Sequence, residues 1–324
     1  MKPRLTVRCD RTLGACPFRF GSAIGVILVC LSCTEPTGQI AAGPQREYQQ
    51  QRQTDENGVE MLLASAPGSR FQLGEQNPMR ASNFAIERKT QAASRIDGAL
   101  QYWNVTAHDL DYTSGGSGKT IRLHIYAGRG QQVHTWKNQK GFLATPSDIR
   151  NQEFTAFVRV HNISDPGRAA ITLKIRGGAH TDKNPDLASC TMIAFQANST
   201  GAVARFGKEL THPNYDYVTL TPAFDAGLLE NRWVGLKLLS YSSPGEPRRV
   251  TNRLYLDIDP FEHVGAKPRN NWKQFAKYVD IEGVSTGKYN KLADWGGWQT
   301  TLRSDGVSSL DFALISLREV QPGL

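Results

Sequence analysis

The sequence predicts an all-β protein, an antiparallel two-sheet β-sandwich of the jelly-roll type. Three observations carry this. Apolar residues recur with period two in stretch after stretch, Gly, Pro, Asn and Asp punctuate the gaps, and helical patterning is scarce. In chain order, Ile121, Leu123 and Ile125 alternate with Thr120, Arg122, His124 and Tyr126. Phe154, Ala156, Val158 and Val160 alternate with Thr155, Phe157, Arg159 and His161. Ile171, Leu173 and Ile175 alternate with Thr172, Lys174 and Arg176. Val234, Leu236 and Leu238 alternate with Trp233, Gly235 and Lys237, and Leu254, Leu256 and Ile258 with Tyr255, Asp257 and Asp259. Such half-buried strands, with no internal repeat, read as one sandwich over residues 96–324.

The chain ahead of the sandwich reads differently. Lys2, Arg4, Arg8, Arg11 and Arg19 precede an apolar run from Phe20 to Leu31, which ends in Leu31-Ser32-Cys33. A charged head, a short apolar run and small residues at a cleavage point make a secretory signal over 1–33. The run is well below the roughly 20 residues of a membrane-spanning helix. The ending resembles a bacterial lipobox, with Cys30 standing where Leu is usual. That resemblance implies acylation of Cys33, contact with a membrane through a lipid anchor only, and an exported protein, either a cell-envelope lipoprotein or a secreted one. Residues 34–95 are rich in Gln, Arg, Ser, Gly and Ala without apolar period, and read as a flexible tether with a short helix over Val59 to Ala64.

The chain has 38 basic and 30 acidic residues; losing the signal's five basic residues and Asp10 leaves 33 against 29, a net charge of +4. That balance, with no Lys/Arg-rich run, argues against nucleic acid as partner and is compatible with an acidic polymer. Of the five cysteines, Cys9, Cys16 and Cys30 fall within the signal. With Cys33 acylated, Cys190 is left alone in an apolar strand, as a buried inert thiol and not a nucleophile. No Cys/His spacing suggests zinc, so no metal site is assigned. Asp257, Asp259 and Glu262 match no complete calcium pattern and read as a solvated strand end. No cofactor is required by this reading, although a structural calcium elsewhere stays open. Gly115-Gly116-Ser117-Gly118-Lys119-Thr120 lacks the first glycine of a phosphate loop and leads into a strand, so it reads as a turn. No Gly-x-Ser-x-Gly elbow marks a nucleophilic serine.

Three polar stretches lie on strand-like backbone: Arg253-Leu254-Tyr255-Leu256-Asp257-Ile258-Asp259, and two that carry the candidate chemistry. The first of these two is Lys174-Ile175-Arg176-Gly177-Gly178-Ala179-His180, and the second runs from Arg205 through Lys208, Glu209, His212 and Tyr215. Alternation puts Lys174 with Arg176 on one face, Lys208 with His212, and Arg205 with Glu209. Such faces either meet solvent or line a groove. Arg, Lys, His and Tyr together are what elimination across a uronate needs: a cation for the carboxylate, a base for the carbon-bound proton and an acid for the leaving oxygen. Trp272, Trp295 and Trp298 lie in one C-terminal stretch, where glycines beside tryptophans leave ring faces open to sugars; one is expected exposed and two structural.

Over roughly 100–324 the chain resembles the concanavalin A-like jelly-roll superfamily, which includes extracellular glycanases, polysaccharide lyases and lectin-type modules. The resemblance rests on the strand texture, on Trp233-Val234-Gly235-Leu236-Lys237, on Arg253-Leu254-Tyr255-Leu256-Asp257, and on the ending from Thr301-Leu302-Arg303 through Asp311-Phe312 to Leu317-Arg318-Glu319. Gly287-Lys288-Tyr289-Asn290 echoes the C-terminal motif of alginate-lyase-like members without its earlier Tyr and Lys; Gln132-Val133-His134 is a counterpart of their Gln-Val/Ile-His element at a longer spacing from Tyr289, and their Arg-x-Glu-x-Arg element is missing. The carboxylate pair of laminarinase-like glycosidases is missing, which argues against retaining hydrolysis. The expectation is an exported protein that handles a polysaccharide, an acidic one, as a lyase cleaving by β-elimination. Arg176 would neutralise the carboxylate, His180 or His212 would be the base and Tyr215 the acid. Lys174, Lys208, Glu209 and the three tryptophans would hold substrate. The rival expectations are a non-catalytic carbohydrate-binding surface lipoprotein and a structural surface protein with no sugar site.

Overall fold

The computed structural model describes residues 53–64, 84–86, 90–107, 120–126, 149–177, 190–198, 201–211, 214–262, 267–284, 286–297 and 299–322. In chain order the strands are β1 (Gln53–Thr54), β2 (Glu60–Met61), β3 (Phe84–Ile86), β4 (Thr90–Asp97), β5 (Leu100–Ala107), β6 (Thr120–Tyr126), β7 (Gln152–Ile163) and β8 (Ala170–Gly177). They continue as β9 (Cys190–Asn198), β10 (Gly201–Thr211), β11 (Asn214–Leu220), β12 (Trp233–Ser243), β13 (Arg249–Asp257), β14 (Lys273–Ile281), β15 (Gln299–Asp305) and β16 (Val307–Glu319). A front sheet has the order β11-β10-β9-β8-β15-β6-β3, and a back sheet the order β14-β13-β12-β7-β16-β5-β4. Strand pairing is antiparallel throughout, and β15 and β16 return from the far end of the chain to the middle of each sheet. This is the open jelly-roll sandwich that the alternation predicts.

The core follows from that alternation. Leu123, Leu173, Ile193, Phe206 and Leu302 point inward from the front sheet, and Phe154, Leu236, Leu254 and Phe312 meet them from the back sheet. Burying each such side chain contributes about 1.5–3 kcal/mol. Three polar links cross the same interior. Thr300 donates to Gln152 at 2.9 Å. Lys208, fully buried, pairs with Asp280 of β14 at 2.7 Å and donates to the Lys291 carbonyl at 2.8 Å. Arg176, also fully buried, supplies the third.

The outer face of the back sheet is covered by the chain's own N-terminal part. Lys237 and Arg318 donate to Glu153 at 2.9 and 3.2 Å, all three buried. Above them, the Leu62 and Leu63 amides donate to the Glu153 carboxylate, and Lys237 donates to the Glu60 carbonyl. Val59 is fully buried among Leu100, Phe157 and Ala313. Residues 53–64, read from composition as tether and in part as helix, are instead a short β1–β2 pair packed on the sandwich. Their apolar content is low because they close over a charged network and need only Val59 as an anchor.

Candidate functional site

The polar face of the front sheet gathers the titratable side chains. Register defines one row across six strands: His124 opposite Thr301, Thr301 opposite Lys174, Lys174 opposite Met192, Met192 opposite Gly207, and Gly207 opposite Tyr217. The rows on either side add Arg122 beside Arg303, and Cys190, Glu209 and Tyr215. Gly207 leaves the space into which the Tyr217 ring lies, since a Cβ there would come within 2.6 Å of it. The Tyr217 hydroxyl donates to Met192 Sδ at 3.4 Å, and its ring stacks parallel to Tyr215 with centroids 6.1 Å apart.

Tyr215 is the centre of this face. Arg303 Nη1 and Lys174 Nζ reach its hydroxyl oxygen at 3.3 and 3.4 Å. Lys174 is paired with the buried Glu209 at 3.0 Å, and Arg303 with Asp305 at 2.8 Å. Burial raises the Tyr215 pKa above the ordinary tyrosine value, with Lys174 and Arg303 pulling the other way, so the phenol keeps its proton at neutral pH. Burial opposes the Lys174 charge, but Cys190, Glu209 and Tyr215 outweigh it and hold the ammonium above its usual pKa. Cys190 is buried and its thiol is pushed up to about 12, first by burial, which leaves no thiolate nucleophile at neutral pH.

His124 stands on the other side of Lys174. Gln299 Nε2 lies 2.8 Å from His124 Nδ1 and 3.1 Å from Thr301 Oγ1. An amide NH₂ only donates, so Nδ1 accepts and the ring proton sits on Nε2. Burial, then Arg122 and Lys174, lower the His124 pKa to about 3. The ring is therefore neutral at ordinary pH.

Several expected site residues lie elsewhere. In β8, Ile175 and Arg176 together oppose Thr300, because Gln299 pairs with Gly177 and Thr301 with Lys174. This bulge, with Arg176 at φ 55°, turns Arg176 off the polar face and into the space between the sheets. There it donates to the Trp295 carbonyl at 2.9 Å and reaches Ser240 of β12 at 3.5 Å, and Trp295 Nε1 donates back to the Arg176 carbonyl at 3.1 Å. Burial pushes its pKa down to about 9. Arg176 is thus a structural strut and no carboxylate binder. Lys208 is corrected likewise: it lies on the inward parity of β10 with Phe206, locked to Asp280.

Trp295 is buried as the partner of Arg176. Trp272 belongs to the back sheet, packed on Phe157 with centroids 5.6 Å apart, under Lys237 Nζ at 4.6 Å from its ring, and donating to Asn270. These two tryptophans form no common sugar platform. Asp257 is buried, not solvated; it accepts from the Asn271 and Asp259 amides and shapes the turn after β13. His180, His212, Trp298 and Cys33 lie outside the described residues, as does Gln132-Val133-His134. Tyr289 donates to the Asn214 carbonyl at 2.7 Å and the Lys288 amide to Asp216 at 2.6 Å, which ties the 286–289 turn to β11 beside Tyr215.

No family model matches the chain, and no curated protein matches it. Among solved structures it is similar to an endo-β-1,4-glucuronan lyase from the fungus Trichoderma reesei, at 13% identity and TM-score 0.41, over 78% of this chain and 94% of that one. A carbohydrate esterase from the Shiga toxin-encoding bacteriophage phi24B matches at 10% identity and TM-score 0.41, over 78% and 97%. An alginate lyase from Aplysia kurodai matches at 8% identity and TM-score 0.40, over 79% and 97%. At these values the likeness carries no functional weight, and the chemistry rests on the residues of the front face.

Proposed function

We propose that the chain is an exported polysaccharide-active protein whose front face cleaves a uronate-containing glycan by β-elimination. The observation that supports this best is the Tyr215 hydroxyl held between Arg303 and Lys174. A uronate carboxylate set against these two cations would have its charge matched as it grows toward the enolate. With both cations donating to its oxygen, Tyr215 has its own proton to give to the departing glycosidic oxygen. Abstraction of the carbon-bound proton stays with His212 or His180. Export would follow from the 1–33 signal, with Cys33 as the lipidated residue, followed by the tether upstream of the sandwich.

A second reading has a specific observation behind it. Lys174 is already neutralised by Glu209, and Arg303 by Asp305, an arrangement suited to holding a glycan without turning it over. Incubation with alginate, polyglucuronate and neutral glucans, read at the absorbance of unsaturated uronates, separates the two. The lyase reading expects unsaturated product from an acidic polymer and a loss of about 10²–10³ in turnover for Tyr215→Phe. Retention of acidic glycan without any unsaturated product would establish the binding module instead.

A further inference from the structure

On the side of the sandwich away from Tyr215, a cavity of about 380 Å³ opens between three stretches. They are the turn joining β4 to β5 at Asp97–Leu100, the start of β12 at Arg232 and Trp233, and the loop Ile258–Glu262 after β13. Its size falls within the roughly 300–1,000 Å³ of small-ligand sites. Trp233 and Phe261 supply half-buried aromatic walls, set edge to face with centroids 5.6 Å apart. The Trp233 ring is held in place by Arg159, whose guanidinium lies 4.8 Å from it, and by Tyr102, edge-on at 5.6 Å.

The rim is polar and exposed: Asp97, Arg232, Asp259 and Glu262. Asp97 is paired with Arg159 at 3.6 Å and Asp259 with Arg269 at 3.2 Å, so these carboxylates are held in place and partly neutralised. Arg232 is anchored through the Ile258 carbonyl at 3.2 Å. Fixed carboxylates take hydroxyl protons, a guanidinium gives protons to hydroxyl oxygens, and aromatic walls accept the C–H faces of a pyranose ring. The three rim carboxylates are met by Arg232, Arg159 and Arg269, so the cavity has no cationic excess to draw an anionic sugar. The front face, with Arg122, Lys174 and Arg303, has the opposite bias.

The geometry points to a second glycan site in this cavity, one that takes neutral saccharide residues. It stands independently of the elimination chemistry, because no residue is shared with the front face. The test is calorimetric titration of the full chain with cellohexaose, laminarihexaose and mannohexaose, and with a hexamannuronate as the anionic control. At least one neutral hexasaccharide should bind saturably. That affinity should fall at least about tenfold in Trp233→Ala, fall also in Asp259→Asn and Glu262→Gln, and stay unchanged in Tyr215→Phe. The two carboxylate variants sit on exposed residues and keep the test valid should Trp233→Ala fold poorly. Hexamannuronate binding should be indifferent to all three cavity variants. The proposal is overturned if no neutral hexasaccharide binds, if binding survives both carboxylate variants, or if Tyr215→Phe removes it.

Discussion

Gln299 Nε2 donates to Nδ1 of His124 at 2.8 Å, which fixes the imidazole as the Nε2–H tautomer in the middle of a cationic face. Gln299→Glu replaces this donor by an acceptor-only carboxylate, so the ring must carry a proton on Nδ1 and gains a negative neighbour. The His124 pKa, held near 3 in the native protein by burial and by Arg122 and Lys174, should rise. Titration of the ring by NMR checks this; an unchanged midpoint in the Glu variant would refute the assigned donor.

The same histidine sets a pH dependence of folding. Its pKa falls from an ordinary 6.5 to about 3 on folding, so between those values the unfolded chain binds the proton and the folded one resists it. Stability that is full above pH 6.5 is therefore lost as pH falls toward 3. His124→Gln removes this contribution, and urea denaturation across that window should show a shallower decline than the native chain.

Arg176→Ala should unfold the protein more readily by about 2–5 kcal/mol, since it empties a core volume and removes the guanidinium that donates to the Trp295 carbonyl. An exposed substrate-binding arginine would cost close to nothing. Gly297→Ala should be at least as damaging, because a Cβ there collides with the backbone of Arg176 and Gly177.

Lys208→Met leaves Asp280 buried without its cation and should cost about 3–5 kcal/mol. The double variant Lys208→Met with Asp280→Asn should recover much of that loss. Chemical denaturation of the native chain, the two single variants and the double variant reads the cycle, and strict additivity would show that the pair is not coupled.

A chain shortened to begin at residue 65 loses Val59 and the lid over Glu153, Lys237 and Arg318. Its stability should drop by at least ~2 kcal/mol, visible as a lower melting temperature. A free tether would leave the melting temperature where it was.

The sandwich was legible because period two is a local signal: β6, β7, β12 and β13 follow the alternation read from the sequence, and β8 follows it as far as its bulge. The site was legible only in part. Tyr215 and Lys174 do meet on one face, but Arg303, Gln299 and His124 join them through the pairings of β15 with β6 and β8, which no local pattern encodes. The polar parity of Arg122 and His124 in β6 was the available clue. Lys208 could have been placed by the same rule, since adjacent residues Lys208 and Glu209 must face opposite sides. Arg176 could not, because a single-residue bulge inverts the side it faces and alternation carries no mark of it. The role of residues 53–64 was hidden by their composition, since they bind the sandwich mainly through backbone amides and a carbonyl.

Those backbone contacts also decide where mechanical load enters the molecule. Tension on the chain upstream of Gln53 would arrive at Glu153 and Lys237, in the middle of the back sheet, and be shared by β7 and β12 before reaching any front strand. Tyr215 and Arg303 stand behind two sheets from that point. A molecule held from its N-terminal side would present them outward, with the strain of attachment borne by strands that take no part in the front face.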